Sequence, residues 1–572
     1  MSKTKLELTW IGKDKRPKLE PRILLEDQEL SYHASHKVSE SDIFDNKLIF
    51  GDNLLALKAL EQDYTSKVKC IYIDPPFNTG NAFEHYDDGL EHSIWLSLMR
   101  DRLIIFRKLL ADDGVIAVHL DDEEAAYMKV VMDEVFGRSN YLNTISLTTN
   151  DPSGFKATGA TIFSTGNYIL LFAKNKLKKP LNKIWIKKGY DSGYNKYLIN
   201  PDEEYTSWRW TGINEAFSNS MGYESTKLAK KELGKDYDER LADFAIINAR
   251  RVFQLVAVGG GAAIKRKSTI EKSKKDRDKV YVHPNEDVDG FFIANGRQMV
   301  FYDNRLVEID SQLVPGELIT DVWTDISWNG IANEGSVQFK NGKKPEALIK
   351  RVLELCSNPG DLVLDSFGGS GTTGAVAHKM GRRWIMLELG DHCHTHIIPR
   401  LKKVIDGEDQ GGISRAVSWQ GGGGFRYYKL APSLIEYDRF GQPVINKEFN
   451  PEMLTEAVCK LEGFTYAPSD TIWWQHGYST ESDFIFVTTQ NLSIDQLEQI
   501  SEEVGSDKSL LVMCGAFRCK ADRFTNLTIK KLPKAVLKHC EWAHDDYSLN
   551  VQNLPMAQEE HKGHEPAQDD LF

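Results

Sequence analysis

The stretch Cys70–Gly80, which reads C-I-Y-I-D-P-P-F-N-T-G, constrains the fold of this chain more than any other. Residues 71–73 are apolar and predict the end of a buried parallel strand. Pro75 and Pro76 cannot extend that strand, because proline lacks an N–H group and fixes φ. The chain must therefore leave the sheet here. In open α/β sheets, ligands bind just beyond the carboxyl ends of strands, so this stretch predicts a ligand site.

The residues that follow this strand suit the transfer of a group to an exocyclic amine. The Asp74 carboxylate and the Pro75 carbonyl are acceptors, and Pro76 has no N–H group that would compete for them. Together they could hold both hydrogens of an amine and leave its nitrogen lone pair facing an electrophile. Phe77 could stack on a planar base drawn out of a duplex. The alternative is a strand-ending turn with an aromatic plug, and so short a motif leaves both readings open.

A second stretch, Asp361–Glu388, has the pattern of a nucleoside-binding unit. It predicts a strand at 362–364, then a glycine-rich turn into a helix (D-S-F-G-G-S-G-T-T-G, residues 365–374), then a strand that ends at Glu388. Glycines allow a ligand close to the backbone, and an acid 17 residues past Gly371 suits ribose hydroxyls. The turn also matches G-x-G-x-x-G, so this stretch alone does not exclude nicotinamide.

Three other positions carry polar groups of interest. Asp52 follows a predicted strand at 48–50 and precedes an apolar helix, so it suits either a cofactor amine or the N-cap of that helix. His119 lies inside a predicted strand, and we interpret it as structural. Residues 392–396 (H-C-H-T-H) lack a second pair of ligands, so we interpret them as surface helix residues and predict no metal site.

Composition bounds the class of protein. A chain of 572 residues with 41% hydrophobic content predicts two to four domains with real cores. No run of about 18 apolar residues and no signal-peptide pattern occurs, which favours a cytoplasmic protein without a membrane segment. The seven cysteines have no framework spacing and suit a reducing compartment. The net charge of −12 argues against nucleic acid, but local patches decide such binding.

The region from 140 to 320 has a different character from its flanks. Lys174–Lys188 holds seven lysines around Trp185, and Lys265–Lys279 holds eight basic residues. Basic and aromatic residues interleaved in loops suit a surface that follows phosphates and reaches bases. The alternative is an ordinary solvated surface. Two such runs within one segment favour nucleic acid.

Joined, these segments resemble the β-class DNA amino-methyltransferases, and above all the modification subunits of type III restriction systems. The likeness spans roughly residues 45–430 and is weakest across 140–320. The order of the segments is the circular permutation of that class, which implies one Rossmann-like α/β sheet built from both halves. The matching segments are G-D-N at 51–53, I-D-P-P-F-N-T-G at 73–80, H-S-I-W-L-S-L-M-R-D-R-L at 92–103, G-V-I-A-V-H-L-D-D-E-E at 114–124, K-P-E-A-L-I-K at 344–350, D-S-F-G-G-S-G-T-T at 365–373 and G-G-G-F-R-Y-Y-K-L at 422–430.

The sequence patterns, together with this resemblance, predict six regions along the chain. They are a loosely packed lead-in at 1–46, the catalytic half at 47–139, a target-recognition insert at 140–320, the cofactor half at 321–430, a small α/β assembly domain at 431–555 and a disordered acidic tail at 556–572.

The resemblance also implies a role for each matching residue. Asp74, Pro75, Pro76 and Phe77 would hold the flipped base, and an initial Asp is the family's usual sign for adenine N6. Ser366 stands where Pro is frequent and would loosen the cofactor turn. The residues implied around S-adenosyl-L-methionine are Asp52 at the adenine, Lys344 and Pro345 at the methionine pocket, Asp365 at the methionine end, Phe367, Gly369, Gly371 and Thr372 at the turn, and Glu388 at the ribose.

The implied function is methylation of adenine N6 at specific sites in double-stranded DNA, as the modification and specificity subunit of a restriction-modification system. The alternatives are an RNA methyltransferase and a catalytically silent DNA-recognition subunit. No G-x-x-x-x-G-K-[S/T] occurs, so a separate helicase–nuclease subunit would supply restriction. We also expect a homodimer. The last residues, 568–572, resemble the peptide that bacterial sliding clamps bind, with Gln568, Leu571 and Phe572 as contacts.

Overall fold

The computed structural model of this chain describes residues 7–75, 88–149, 164–284, 291–309, 312–339, 342–520 and 522–548. Pro76, Phe77 and the expected clamp peptide at 568–572 lie outside these residues. The chain divides into two compact units. A large unit combines Met1–Asn182 with Asp321–Phe572, and an inserted unit comprises Lys183–Thr320.

The first part of the large unit alternates strands and helices. Asp52 begins the first helix as its N-cap, and the second helix runs straight into the strand that follows it. The elements are β1 (Leu24–His33), β2 (Asn46–Phe50), α1 (Asn53–Tyr64), β3 (Val68–Ile73), α2 (Asp88–Leu109), β4 (Leu110–Leu120), α3 (Ala125–Met132), β5 (Tyr141–Thr148) and β6 (Gly166–Ala173).

The inserted unit has one six-stranded and one three-stranded sheet with five helices among its described residues. Its aromatic residues mainly form its own core, where Trp208 packs on Phe292 with ring centroids 4.7 Å apart. Its elements are β7 (Trp185–Lys187), β8 (Lys196–Leu198), β9 (Trp210–Gly212), α4 (Ile213–Ser220), α5 (Thr226–Leu233), α6 (Tyr237–Ile247), β10 (Val252–Val256), α7 (Gly260–Lys265), α8 (Lys267–Lys275), β11 (Val280–Val282), β12 (Phe292–Ala294), β13 (Arg297–Phe301), β14 (Leu306–Ile309) and β15 (Gln312–Leu318).

The chain then returns to the large unit. Gly371, with φ of +76°, immediately precedes the helix that follows the glycine-rich turn. The elements are β16 (Val322–Trp323), α9 (Glu346–Cys356), β17 (Leu362–Asp365), α10 (Thr372–Lys379), β18 (Arg383–Glu388), α11 (Ile398–Ile405) and β19 (Gly424–Leu430).

Both halves of the large unit build one ten-stranded sheet in the order β1-β19-β2-β18-β17-β3-β4-β6-β5-β16. Strand β17 lies parallel to β3, with Leu364 opposite Ile71, and β18 lies parallel to β17. The carboxyl ends of β3, β17 and β18 therefore meet at one edge of the sheet. The expectation of a single α/β sheet assembled from both halves is confirmed, while the circular permutation itself stays a prediction.

The C-terminal part forms a second, smaller α/β layer within the large unit. Its main sheet has the order β22-β23-β24-β26-β28, and the last three of these strands are parallel. The elements are β20 (Ile435–Tyr437), β21 (Pro443–Ile445), α12 (Pro451–Glu462), β22 (Thr465–Tyr466), β23 (Gly477–Tyr478), β24 (Asp483–Val487), β25 (Asn491–Leu492), α13 (Ile494–Val504), β26 (Ser509–Cys514), β27 (Ala516–Phe517) and β28 (Leu527–Lys531).

The structure changes two of the expected boundaries. Within the lead-in expected at 1–46, the described residues 7–46 are not loosely packed, because β1 pairs with β19 and the side chains of Glu20 and Arg22 are buried. The compact insert begins at Lys183 rather than at residue 140, because β5 and β6 are strands of the main sheet. Alternating and apolar residues in 141–173 are the strand signal that the irregular composition of this region obscured.

Within the described part of the chain, no helix has both the length and the apolar composition required to cross a membrane.

Candidate functional site

A cavity of about 530 Å³ opens at the edge where β3, β17 and β18 end. Its walls come from both halves of the chain and from the C-terminal segment. The residues that the sequence singled out and that line this cavity are Asp52, Asp74, Pro75, Lys344, Phe367, Gly369 and Glu388. The two stretches that organise the sequence therefore open onto one space.

Asp74 lies in this cavity with its two carboxylate oxygens in different surroundings. Oδ2 forms an ion pair with the Nζ of Lys344, whereas Oδ1 is buried and has no hydrogen-bond partner among the described residues. Burial raises the pKa of Asp74, and the charge of Lys344 opposes that rise. The cavity thus holds a carboxylate with one acceptor atom still available.

Glu388 ends β18 and anchors the turn around it. Its Oε2 accepts from the backbone N–H of Gly369 at 2.8 Å, and its Oε1 accepts from the N–H of Gly390 at 2.9 Å. His392 Nε2 lies 3.1 Å from the same Oε1. Burial alone would raise the pKa of Glu388, but the hydrogen bonds from His392 and the backbone outweigh it and lower that pKa. The site therefore presents an ionised, rigidly held carboxylate.

Asp365 and Thr372 line a second, small cavity of about 30 Å³ beside the first. Burial raises the pKa of Asp365 to about 7, even though the N–H of Phe367 donates to its Oδ1 at 2.9 Å. Pro345 and Gly371 line neither cavity. Pro345 immediately precedes α9, and the left-handed backbone of Gly371 lets the turn enter α10. The roles predicted for these four residues stay predictions, as do those of the predicted residues that line the first cavity.

Asp52 serves as the N-cap of α1, one of the two roles the sequence left open. Its Oδ1 accepts from the N–H groups of Leu54 and Leu55 at 2.9 and 3.0 Å. Its Oδ2 accepts from the N–H of Tyr547 at 2.8 Å. Asp52 still lines the cavity, so its capping role and a contact with a ligand are compatible.

The structure adds to the cavity residues to which the sequence assigned no role there. Arg102 and Ser548 line the cavity, and so does His392, which holds Glu388. Glu388 and His392 lie four residues apart on a strand-to-helix turn, a spacing at which two side chains can come into contact. That spacing could have indicated their pairing from the sequence. Nothing near Arg102 or Ser548 in the sequence indicated that the two would share a cavity.

The histidines at 392–396 have separate partners. His394 Nε2 lies 2.7 Å from the Tyr427 hydroxyl, and His396 Nε2 lies 3.2 Å from the carbonyl of Gln338. Cys393 is fully buried, so the expectation of surface residues is wrong at that position. Among the described residues, no group of three or more potential ligands is arranged to hold a metal ion.

His119 is buried in β4, where Tyr72 Oη lies 2.9 Å from its Nδ1 and Asn167 Nδ2 lies 3.1 Å from its Nε2. These contacts agree with its interpretation as a structural residue.

Known proteins are similar to this chain in sequence. A chain named "Probable type III restriction-modification enzyme HindVI Mod subunit", from Haemophilus influenzae, is 35% identical over 415 residues, which are 68% of this chain and 54% of that protein. The type III restriction-modification enzyme EcoP15I Mod subunit of Escherichia coli is 27% identical over 431 residues, covering 67% and 63% of the two chains. This chain spans about half the length of the HindVI relative.

A solved structure, the M1.HpyAVI–SAM complex, aligns over 62% of this chain and 98% of its own with 14% identity and a TM-score of 0.29, a level that says nothing about function. The family described as DNA methylase matches residues 68–398, more than half of the chain. That match contains β3 with Asp74, β17 with the glycine-rich turn, and β18 with Glu388. The chain belongs to the DNA methylase family.

Proposed function

We propose that this chain transfers a methyl group from S-adenosyl-L-methionine to the N6 amine of adenine in double-stranded DNA. The observation that carries the proposal is the shared cavity, which brings the acid of the D-P-P-F segment and the glycine-rich turn within one space. The Mod subunits among its relatives are named as parts of restriction-modification enzymes. By that likeness, we propose that the chain is a modification subunit.

The residues of the cavity fit this cofactor. Its volume of about 530 Å³ lies in the range of ligand sites, and its walls are mainly apolar with a few carboxylates. The ionised Glu388 suits ribose hydroxyls, and Lys344 suits the carboxylate of the methionine part. Asp365, which lines the small cavity beside the first, suits the cationic end of that part. When bound, the cofactor supplies a methyl group that its sulfonium already activates.

The chain's own part in the reaction is to hold the base and exclude water. Asp74 Oδ1, which has no partner among the described residues, can accept one hydrogen of the amine. Lys344 keeps Oδ2 engaged and favours the ionised carboxylate. An amine held in this way keeps its lone pair directed away from Asp74 and is aligned for transfer. Phe77, which lies outside the described residues, is proposed to stack on the base.

The proposal predicts that Asp74 is essential. Asp74→Asn and Asp74→Ala should lower the rate of methyl transfer by at least about a hundredfold, because the amine loses its acceptor and its alignment. Modified bases would be sequenced in DNA from cells that express each variant, and transfer of labelled methyl would be measured in vitro. We expect N6-methyladenine within one short sequence motif, present with wild type and missing with both variants.

Asp121→Asn is the matched control, since Asp121 follows β4 at the same edge of the sheet and its charge influences Asp74. It should retain activity and the same motif. Methylation of RNA but not of DNA by the wild type would favour the RNA alternative. Binding of DNA without methylation would favour the silent recognition subunit. Normal methylation by Asp74→Ala would refute the proposed role of Asp74.

The finer points of assembly are also proposals. We propose a cytoplasmic homodimer that works with a separate helicase–nuclease subunit, and sedimentation at several concentrations would test the dimer.

We also propose that Gln568, Leu571 and Phe572 bind a sliding clamp. Deleting residues 570–572 should abolish retention on an immobilised clamp, and unchanged retention would refute this contact.

A further inference from the structure

The C-terminal segment reaches the proposed cofactor cavity through the backbone of Tyr547. Its N–H donates to Asp52 Oδ2 at 2.8 Å, and its carbonyl accepts from Arg102 Nη2 at 3.1 Å. The next residue, Ser548, lines the cavity itself. The backbone of Tyr547 thus links the start of α1 to the middle of α2, although Arg102 and Tyr547 lie 445 residues apart in sequence.

Arg102 carries this link onward to the glycine-rich turn. Its Nε donates to Asn53 Oδ1 at 2.6 Å, and Asn53 Nδ2 donates to the carbonyl of Ser366 at 2.8 Å. The Arg102 side chain is 4% exposed, and Arg102, Asn53 and Ser366 all line the cavity. A continuous chain of hydrogen bonds therefore runs from Tyr547 through Arg102 and Asn53 to the turn that precedes α10.

We propose that Arg102 is a positioning residue of the cofactor site, through which the C-terminal segment holds the glycine-rich turn in the shape that accepts S-adenosyl-L-methionine. This inference rests on the proposed function. Arg102 suits the task because its planar guanidinium presents several donors in fixed directions, so one side chain can orient Asn53 and Tyr547 at once. Buried hydrogen bonds from a charged donor are also among the stronger ones.

The helix itself supplies a matched control. Arg100 lies on the same helix, α2, and its side chain is 5% exposed, but it contacts Asp101 and the carbonyls of Lys13 and Lys15 rather than the cavity. Arg100→Gln and Arg102→Gln therefore remove the same charge from equally buried positions on one helix. Only the second variant breaks the chain that leads to the turn.

The test measures cofactor binding to the full-length protein by titration calorimetry. Arg102→Gln should weaken binding of S-adenosyl-L-methionine by about tenfold or more, the loss expected for one buried charge-assisted hydrogen bond. The KM for the cofactor should rise likewise, while the KM for DNA stays unchanged. Arg100→Gln should bind the cofactor within about twofold of wild type, even if its melting temperature falls.

The backbone contact can be tested separately. Tyr547→Pro removes the N–H group that donates a hydrogen bond to Asp52, and this change should weaken cofactor binding. Tyr547→Phe removes only the hydroxyl, which donates to Glu541, and should leave binding unchanged. If Arg102→Gln does not fold, Asn53→Ala provides the test instead. It removes the hydrogen bonds from Arg102 to Asn53 and from Asn53 to Ser366 in the same chain of contacts. In a double-mutant cycle, the losses of binding free energy caused by Asn53→Ala and Arg102→Gln should be clearly less than additive.

The outcomes separate this inference from the proposed function. A wild-type protein that binds no S-adenosyl-L-methionine would overturn both. A wild type that binds it while Arg102→Gln and Asn53→Ala bind equally well would overturn only the inference. Equal weakening by Arg100→Gln and Arg102→Gln would also overturn it, because the loss would then reflect the stability of α2.

Discussion

Asp365 shows how burial alters a single carboxyl group. It ends β17 beneath the glycine-rich turn, with 3% of its surface exposed, and the charges of Asp74 and Glu388 add to the effect of burial. Its pKa is raised to about 7, so near neutral pH the protonated and ionised forms coexist. A cationic ligand favours the ionised form. Binding should therefore release a proton and strengthen as the pH rises.

We expect the affinity for the cofactor to depend on pH. With a pKa of about 7, only about a tenth of Asp365 is ionised at pH 6, so affinity for S-adenosyl-L-methionine should be roughly tenfold lower there than at pH 8. Calorimetry in two buffers of different ionisation enthalpy would detect the released proton. Asp365→Asn should weaken binding and flatten the profile. The ligand's own titration is present in both proteins, so an equally steep profile in the variant would contradict the assignment.

The residue types in the sequence indicated which side chains line the cavity, but not which of them pair with one another. The D-P-P-F pattern and the acid after the glycine-rich turn both lead to cavity residues, Asp74 and Glu388. The ion pair between Asp74 and Lys344 joins positions 270 residues apart, and no local pattern encodes it. The N-cap role of Asp52 was predictable from its neighbours, because capping depends only on the next few residues.

At the scale of elements, a buried network of charges locks the helices behind the glycine-rich turn. Glu346, in the first turn of α9, accepts from Lys379 of α10 at 2.8 Å and from Arg400 of α11 at 2.7 Å, and all three side chains are fully buried. Arg400 also donates to the carbonyl of Ser370 at 3.1 Å. The segment that carries Lys344 is thereby tied to the cofactor turn.

Glu346→Gln should destabilise the large unit strongly. The change removes the carboxylate that pairs with Arg400 and leaves Lys379 paired with Asp409 alone, and breaking a buried pair costs about 3–5 kcal/mol of the free energy of unfolding. Denaturant unfolding would measure the loss. The two cations outweigh burial and lower the pKa of Glu346, so its stabilisation should be present near neutral pH and be lost as the pH falls through that lowered pKa.

Glu354→Gln is the control for this prediction. Glu354 lies on the same helix, where its side chain is 35% exposed and forms a pair with Lys350. The loss of that pair should cost only about 0.5 kcal/mol. Equal effects of the two changes would contradict the importance of the buried network.

At the scale of the whole molecule, the inserted unit is a separate compact body, which we propose recognises the DNA target. Three lysines on its helix α8, Lys267, Lys272 and Lys275, are exposed. Replacing all three with Gln should raise the KM for DNA several-fold and reduce the salt dependence of binding, by about one unit of slope for each lost phosphate contact. Affinity for S-adenosyl-L-methionine should stay unchanged.

Three exposed lysines of the C-terminal part, Lys520, Lys534 and Lys538, provide a control with the same change in net charge. Replacing them with Gln should leave the KM for DNA unaltered. If both triple variants weaken DNA binding equally, the effect belongs to the net charge of −12 rather than to helix α8.

Short stretches of sequence are enough to predict most local elements of the large unit and the polar residues at their ends. Strand β3 ends just before Pro75, glycines permit the left-handed turn before α10, and apolar runs mark the buried strands, because each effect depends on a few neighbouring residues. The same local signals missed β5 and β6 and the packing of residues 1–46. Strand β1 owes its place to β19, far along the chain, whereas β6 pairs with its sequence neighbours β4 and β5.

Which distant groups share the cavity depends on how the elements pack, and no local pattern predicts it. The pairing of β17 with β3 brings Asp365 beside Asp74. Tyr547, which follows the second sheet in sequence, forms hydrogen bonds with Asp52 and Arg102. Such contacts depend on how whole elements pack, and the free energy that fixes them is spread over a core of many apolar residues. No short stretch of sequence contains that information.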